Sequence, residues 1–355
     1  MSETGTGYEI KFCHRDDLPL LLEFMEEHWR ARHPLSVSRE LMDWQHFNPL
    51  TDSYNFVIAR HLQSGQVHGM LGFIPTSQFD PEIEQVDIWL AIWKVREDLQ
   101  GTGVGLGMLR YLENELQPRS VSGFGLSRQV IPVYRHLGFT LGQLNHYYLL
   151  NKDLSTFSLV GNFDGRWQNE GAVNADIRFV PYDLSAFQEA EPQLKQLLKP
   201  DLPAKSISYL RRRYLEHPGY RYHLYGLTSE DVVRGVIVLR QAEAEGSVAL
   251  RWVDYFGEVA ALAGTAVEFQ NLLREFKAEY VDFYNLGLAP EQLAVAGFLQ
   301  RTPVSDVVIP NYYEPFEKRN IELDYTCKAP EGSEFSMCRG DADQDRPNYI
   351  SVTGA

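Results

Sequence analysis

Apolar positions along the chain alternate between two periods, and their order predicts an α/β protein. Glu9 to Phe12 is a short extended run, followed by the capping pair Asp16-Asp17. Leu18, Leu21, Leu22, Met25 and Trp29 then recur at helical spacing and predict an amphipathic helix. Residues 32–50 carry Pro34, Trp44, His46 and Pro49 and predict a short second helix and a loop. Two strands are expected at Phe56–Arg60 and Val67–Phe73, joined by a turn at Ser64-Gly65. A longer apolar strand runs from Ile88 to Val95 into a glycine-rich segment. Beyond it Val104, Met108, Leu109, Leu112 and Leu116 mark one helix face. A strand at Ser120–Leu126, a short helix near Val130–Leu137 and a strand at Leu141–Leu150 complete the first half.

The second half repeats this order. Val67-His68-Gly69-Met70-Leu71 has a counterpart in Val233-Arg234-Gly235-Val236-Ile237. Trp93 and Gly138-Phe139 are matched by Trp252 and Gly297-Phe298, each tryptophan standing 45 residues before its glycine. The division expected is a first domain at 1–152, a linker at 153–174 rich in Asn, Gly and Asp, and a second domain at 175–355. A length of 355 residues suits two such cores.

The chemistry concentrates in Gln100-Gly101-Thr102-Gly103-Val104-Gly105. Glycine lets the backbone take positive φ and come close to a ligand. N–H groups at a helix start, facing the positive end of the helix dipole, form an anion cradle suited to a pyrophosphate. Three loop types share this character. A kinase-type P-loop would continue into Gly-Lys-Ser/Thr, which is missing here. A dinucleotide loop needs Gly-x-Gly-x-x-Gly, and Gly103, Gly105 and Gly107 break that spacing. The third type is Gln-x-x-Gly-x-Gly after a fourth strand.

That third pattern resembles the acyl-coenzyme A loop of the GNAT acyltransferase superfamily. Tyr134-Arg135-His136-Leu137-Gly138-Phe139 is similar to the Tyr-x-x-x-Gly-Phe segment of the same superfamily, in the right order and at a suitable distance. The resemblance covers about residues 8–150. It implies two tandem GNAT-like domains, each a mixed, mostly antiparallel sheet flanked by helices, with acyl-coenzyme A as cosubstrate and no metal. It implies that the cosubstrate meets Trp93, Val95, Gln100, Gly101, Thr102, Gly103, Val104, Gly105 and Tyr134. The Val95 N–H would polarise the thioester carbonyl and Tyr134 would protonate the departing thiolate. His46 is the expected general base, with Asp87 and His146 bordering the same cleft; a reaction with no dedicated base is the alternative. Trp44 and His46 are expected to wall the acceptor site.

Registering the halves on their Trp and Gly-Phe anchors sets Gln100–Gly105 against Val259–Gly264 and Tyr134 against Leu293. The second copy has lost the glutamine, two of three glycines and the tyrosine, so it is expected to be degenerate and free to hold the acceptor. Arg211, in a run of arginines and tyrosines, and Arg346, in Asp345-Arg346-Pro347-Asn348, are its expected phosphate ligands. This architecture resembles bacterial N-acyltransferases acting on dTDP-linked amino sugars, which implies acetyl or 3-hydroxyacyl transfer onto a nucleotide-linked sugar amine. A tandem GNAT acting on a polyamine or aminoglycoside, and a non-catalytic acyl-CoA sensor, are the other readings.

Charge and cysteines narrow the class. A net charge of -15 argues against nucleic acid. Cys13, Cys327 and Cys338 have no metal-type spacing, and no apolar run reaches the length of a membrane span, so a cytoplasmic protein with no membrane partner is expected. Nothing in the sequence specifies an oligomeric state.

Overall fold

In the computed structural model, residues 7–163, 165, 177–198, 202–343 and 345–349 are described, together with the backbone of Glu3–Thr4. Part of the expected linker, residues 164 and 166–174, lies outside the described residues. Among the described residues no helix is long and apolar enough to cross a membrane.

The first sheet is built from β1 (Tyr8–His14), β2 (Ser53–His61), β3 (Val67–Pro75), β4 (Asp87–Val95), β5 (Ser120–Phe124) and β6 (Thr140–Gln143). Three helices position its site: α1 (Leu18–His28), α2 (Arg39–His46) and α3 (Val104–Leu116), with the short α4 (Ile131–His136) before β6. Leu18, Leu21 and Met25 of α1 are buried, as the helical spacing predicts, whereas Leu22 is half-buried, Trp29 is exposed just past the helix, and Phe24 joins the buried face. Asp17 does not cap α1 with its side chain; it accepts instead from the His14 N–H at 3.2 Å.

Next come β7 (Asn145–Leu150), β8 (Arg178–Tyr182), α5 (Leu184–Leu194), β9 (Tyr222–Ser229), β10 (Val232–Ala244) and β11 (Ser247–Gly257). They are followed by α6 (Ala266–Glu275), β12 (Ala278–Leu286), α7 (Pro290–Val295), β13 (Leu299–Arg301) and β14 (Asp324–Lys328). The second sheet runs β8-β9-β10-β11-β12-β7-β13, and the first runs β1-β2-β3-β4-β5-β14-β6. The two orders are the same. In each sheet one pair is parallel, β4 with β5 and β11 with β12. The repeat seen in the sequence is therefore a repeat of topology.

One expectation is corrected. Leu141–Leu150 was read as a single strand closing the first half. It breaks at Leu144: Thr140–Gln143 stays in the first sheet, and β7 enters the second between β12 and β13. In return β14 enters the first sheet between β5 and β6. The two crossing segments touch where they exchange, the Leu144 N–H donating to the Leu323 carbonyl at 2.9 Å, with both side chains buried. Each sheet therefore lacks an inner strand unless the other half supplies it. Gly142 sits at this seam, where an added Cβ would come within 2.7 Å of the Tyr325 ring.

The seam couples the stability of the two halves. Gly142→Val forces the Tyr325 ring off β6 and is expected to cost about 1–3 kcal/mol. Urea unfolding followed by tryptophan fluorescence and by far-ultraviolet circular dichroism should then shift as one transition. Two separate transitions, or unchanged stability, would contradict the coupling.

Candidate functional site

The site begins where two strands part. β4 pairs with β5 only at Asp87, Ile88 and Trp89, opposite Ser120, Val121 and Ser122. From Leu90 onward β4 is held by β3 alone. A bulge between Leu90 and Trp93, where Leu71 pairs with Trp93 and Phe73 with Leu90, turns it further outward. Antiparallel ladders alternate, and the Arg96 N–H donates to the His68 carbonyl at 3.0 Å. The neighbouring pairs Val95–Gly69 and Trp93–Leu71 are thus of the non-hydrogen-bonded kind. The N–H and C=O groups of Trp93 and Val95 consequently face away from β3, into the opening beside β5.

The glycine loop closes one end of that opening. Glu97–Leu99 forms a single tight turn, and Gln100–Gly103 is exposed. Gly101 and Gly103 have φ of 80° and 90°, with nothing within 4 Å of an added Cβ. Gly103 caps α3 in the left-handed region, where a side chain would be strained. Gly105 answers to a different need, because an added Cβ would lie 3.2 Å from Trp93 Nε1 and 3.3 Å from Val95 Cγ2. It lets α3 press against the strand end.

Not every loop N–H is free for a ligand. Gln100 donates to Glu97 and Thr102 to Leu99, whose carbonyl the Thr102 hydroxyl also reaches at 2.6 Å. The first helical bond of α3 runs from Gly107 N to Gly103 O. The N–H groups of Gly103, Val104, Gly105 and Leu106 therefore precede the helical ladder and open an anion cradle at the dipole's positive end. Thr102 shapes the loop and its N–H does not join the cradle.

Tyr134 on α4 lies against the same opening. Its ring meets Trp93 edge-on at 5.6 Å and Phe139 at 5.1 Å. Burial alone pushes its pKa well above the usual phenol range, so it stays protonated. None of the described residues hydrogen-bonds its hydroxyl. It is a protonated phenol held beside an open strand end.

His46 is not part of this opening. It is fully buried on α2, with Nε2 3.0 Å from Gln45 Nε2, Nδ1 3.2 Å from the Phe73 carbonyl, and its ring 4.5 Å from Phe56. Burial pushes its pKa down to about 3. Both nitrogens are occupied and no surface reaches them, so the general-base expectation is corrected: His46 is a structural residue. Asp87 is likewise enclosed, accepting from Arg119 at 3.0 Å, Ser120 Oγ at 2.8 Å and Ala204 N at 2.8 Å. His146 travels with the exchanged strand β7 into the second sheet, where Arg301 Nε donates to its Nδ1 at 2.9 Å and Asp282 faces Nε2 at 3.2 Å.

The expected acceptor residues separate. Trp44 is half-buried between the halves, its Nε1 donating to the Arg212 carbonyl at 3.2 Å and its ring 4.4 Å from His217. Arg211 pairs with Glu216 at 3.2 Å and lines a cavity of about 240 Å³ with Phe187, Gln188 and Ser208. Arg346 lines a different cavity of about 350 Å³, with Trp29, Arg30, His33 and Tyr312. The two arginines do not converge on one ligand. The tail that carries Arg346 is anchored by buried Asp345, which accepts from Arg240 Nε at 3.0 Å and Nη2 at 2.8 Å and from the Tyr222 hydroxyl at 2.8 Å.

No motif in the sequence singles out Trp29, Arg30 and His33 as ligand residues. A dense aromatic and cationic cluster at the end of an amphipathic helix, in an acidic chain, was the available signal. Asp254, Cys338 and Asp341 also gather as a possible metal group, but the Lys205 ammonium bridges the two carboxylates at 2.8 and 2.5 Å. The protein supplies its own cation there.

Among the described residues the second sheet has no equivalent opening. There β11 stays paired with β12 from Val248 through Trp252, and Trp252 stacks on Phe283 at 4.0 Å. Val259–Gly264 winds into a 3₁₀ turn with Leu262 fully buried, and Leu293 is buried on α7 at the place of Tyr134 on α4.

This arrangement places the chain among known folds. A GCN5-related N-acetyltransferase from Anabaena variabilis superposes with a TM-score of 0.56 at 12% identity, over 90% of this chain and 72% of that one. N-myristoyltransferase of Saccharomyces cerevisiae with bound myristoyl-CoA and inhibitors gives 0.48 at 10% identity, over 94% and 84%. A GCN5-related N-acetyltransferase from Sphaerobacter thermophilus gives 0.46 at 12% identity, over 92% and 98%. The sequence matches no family model and no curated protein sequence. The chain thus has the α/β fold of the GCN5-related N-acetyltransferases, a fold assignment carried by the first of these likenesses.

The buried His46 gives a pH signature. Its pKa is depressed in the folded state, so below about 6.5 the unfolded chain binds more protons than the native one. The stability it confers is full above that pH and lost as pH falls toward about 3. The loss should reach up to about 1.4 kcal/mol per pH unit. His46→Gln should lower stability at pH 7 and flatten the acid slope in thermal melts between pH 4 and 7. An unchanged slope would show that His46 reaches solvent.

Proposed function

We propose that the protein transfers an acyl group from acyl-coenzyme A to an amine, in the opening between β4 and β5. One observation carries this: Gly105 of the cradle and the Tyr134 ring both pack against the Trp93–Val95 end of β4, the stretch that β5 leaves unpaired. The cradle holds the pyrophosphate through backbone N–H groups. The outward N–H of Val95 polarises the thioester carbonyl and steadies the negative charge that forms on its oxygen. The acceptor nitrogen attacks that carbon directly and the carbon–sulfur bond breaks. Tyr134 donates its proton to the sulfur as it leaves. With His46 enclosed, the proton lost by the amine passes to water in the opening, and water returns a proton to the Tyr134 phenolate.

The acceptor in this reading is the amine of a nucleotide-linked sugar, and the group transferred is acetyl or 3-hydroxyacyl. The degenerate second half and its tail support it, since they leave room for an acceptor without a second cradle. A cationic amine such as a polyamine or aminoglycoside is the second reading, favoured by the net charge of -15.

Release of free thiol from acetyl-CoA and 3-hydroxyacyl-CoA, assayed over amino-sugar nucleotides, polyamines and aminoglycosides, separates the two. Turnover with an amino-sugar nucleotide is expected, and turnover with cationic amines alone would replace it by the second reading. Tyr134→Phe should lower kcat by about 100-fold while leaving coenzyme A affinity unchanged. Undiminished kcat at saturating substrates would remove Tyr134 from the mechanism.

A further inference from the structure

We infer that the cavity between the end of α1 and the C-terminal tail binds the diphosphate of the acceptor, with a nucleoside ring against Trp29 and Tyr312. The inference rests on the acyltransferase reading only for the use made of the bound molecule.

The strongest sign is a buried donor with nothing to donate to. His33 is fully buried and precedes the turn Pro34–Val37, where its Nδ1 accepts the Leu35 N–H at 3.3 Å. With a lone pair at Nδ1, the neutral ring carries its proton on Nε2. That atom has no hydrogen-bond partner among the described residues, yet the side chain lines the cavity. An enclosed N–H without an acceptor costs about 1–3 kcal/mol, which an acceptor oxygen of a ligand would recover.

Cations surround this donor. Burial first, and then the charges of Arg346 and Arg30, disfavour protonation of His33, which keeps the ring neutral and Nε2 a donor. Among the described residues Arg30 hydrogen-bonds through Nη2 to the Asn348 carbonyl at 3.2 Å, and its guanidinium lies 5.0 Å from the Tyr349 ring. Arg346 makes long contacts, Nε to Asp343 at 3.3 Å and Nη1 to Asn348 Oδ1 at 3.4 Å, leaving donor capacity toward the cavity. A smaller neighbouring cavity shares Tyr312, Arg346 and Asn348 and extends to buried Arg339. Arg339 donates from Nη2 to the Asn311 carbonyl at 2.9 Å, while its Nε and Nη1 make no hydrogen bond among the described residues. Desolvation lowers its pKa to about 10, the sign of a guanidinium short of partners.

The carboxylates nearby are already engaged. Asp345 is forked by Arg240 and stands 3.6 Å from Arg339, Asp343 faces Arg346, and Glu314 accepts from Tyr220 and from the Asn348 N–H. Guanidinium forks plus a neutral imidazole N–H match the several oxygens of a diphosphate. Trp29, 42% exposed at the mouth, and half-buried Tyr312 offer faces for a base. About 350 Å³ accommodates a nucleoside-sized group. Trp29, Arg30 and His33 come from the first half and the rest from the second half and its tail, so the ligand would be held across the two halves.

Calorimetric titration of the full chain, with coenzyme A saturating so that the Gln100–Gly105 loop is filled, tests this. dTDP and UDP should bind, and inorganic pyrophosphate more weakly. Succinate, a dicarboxylate without a ring, should not bind. Arg30→Gln and Arg346→Gln should each weaken dTDP binding by about tenfold or more. His33→Phe should do the same if it folds, and unchanged coenzyme A affinity certifies the fold of each variant. Absence of nucleotide binding, succinate binding as tightly as dTDP, or insensitivity to both arginine changes would overturn the inference. Coenzyme A binding without nucleotide binding overturns this site alone. Nucleotide binding without coenzyme A binding supports the site and overturns the acyl-CoA reading.

Discussion

How long two parallel strands stay hydrogen-bonded decides what each half of this molecule can do. In the first sheet the pairing of β4 with β5 stops at Trp89, and the backbone from Leu90 to Val95 keeps one edge unclaimed. An unclaimed strand edge inside a protein is a polar surface that wants a partner. Here it runs into a loop whose glycines allow a helix to start with its N–H groups exposed. In the second sheet the matching strands remain paired through Trp252, which stacks on Phe283, and beyond that point Met337–Cys338 pairs with β12. The same topology yields an open cleft once and a closed core once.

The exchange of β7 and β14 ties these two outcomes together. Because β14 completes the sheet beside β5, residues near the C-terminus support the sheet that carries the cleft. The tail beyond it, fixed through Asp345 to Arg240 and Tyr222, then lies against the end of α1. That route sets the Arg346 cavity against the first half. Without the exchange, a degenerate copy would be a neighbour; with it, the copy is part of the wall.

What was legible in the sequence was local. Gln100–Gly105 and Tyr134–Phe139 declare themselves because backbone sign and helix start are set by a few consecutive residues. The repeat was legible through Trp252 and Gly297-Phe298, and the structure extends it to α4 and α7. The exchange was hidden, since Asn145–Leu150 shows the same alternation whichever sheet it joins. His46 misled because a polar type on an amphipathic helix says nothing about depth; the Gln45 and Phe73 contacts that occupy it come from the fold. Arg211 and Arg346 looked alike for the same reason. The partner that fixes Arg346 in place, Asp345 on Arg240, is set by contacts between distant segments.

The central claim is that one cradle is open and its counterpart is closed. Titrating the full chain with coenzyme A by calorimetry measures this directly. One molecule bound per chain, lost when Gly103→Val blocks the start of α3, is the expected result. Two molecules per chain, or one that survives Gly103→Val, would contradict it.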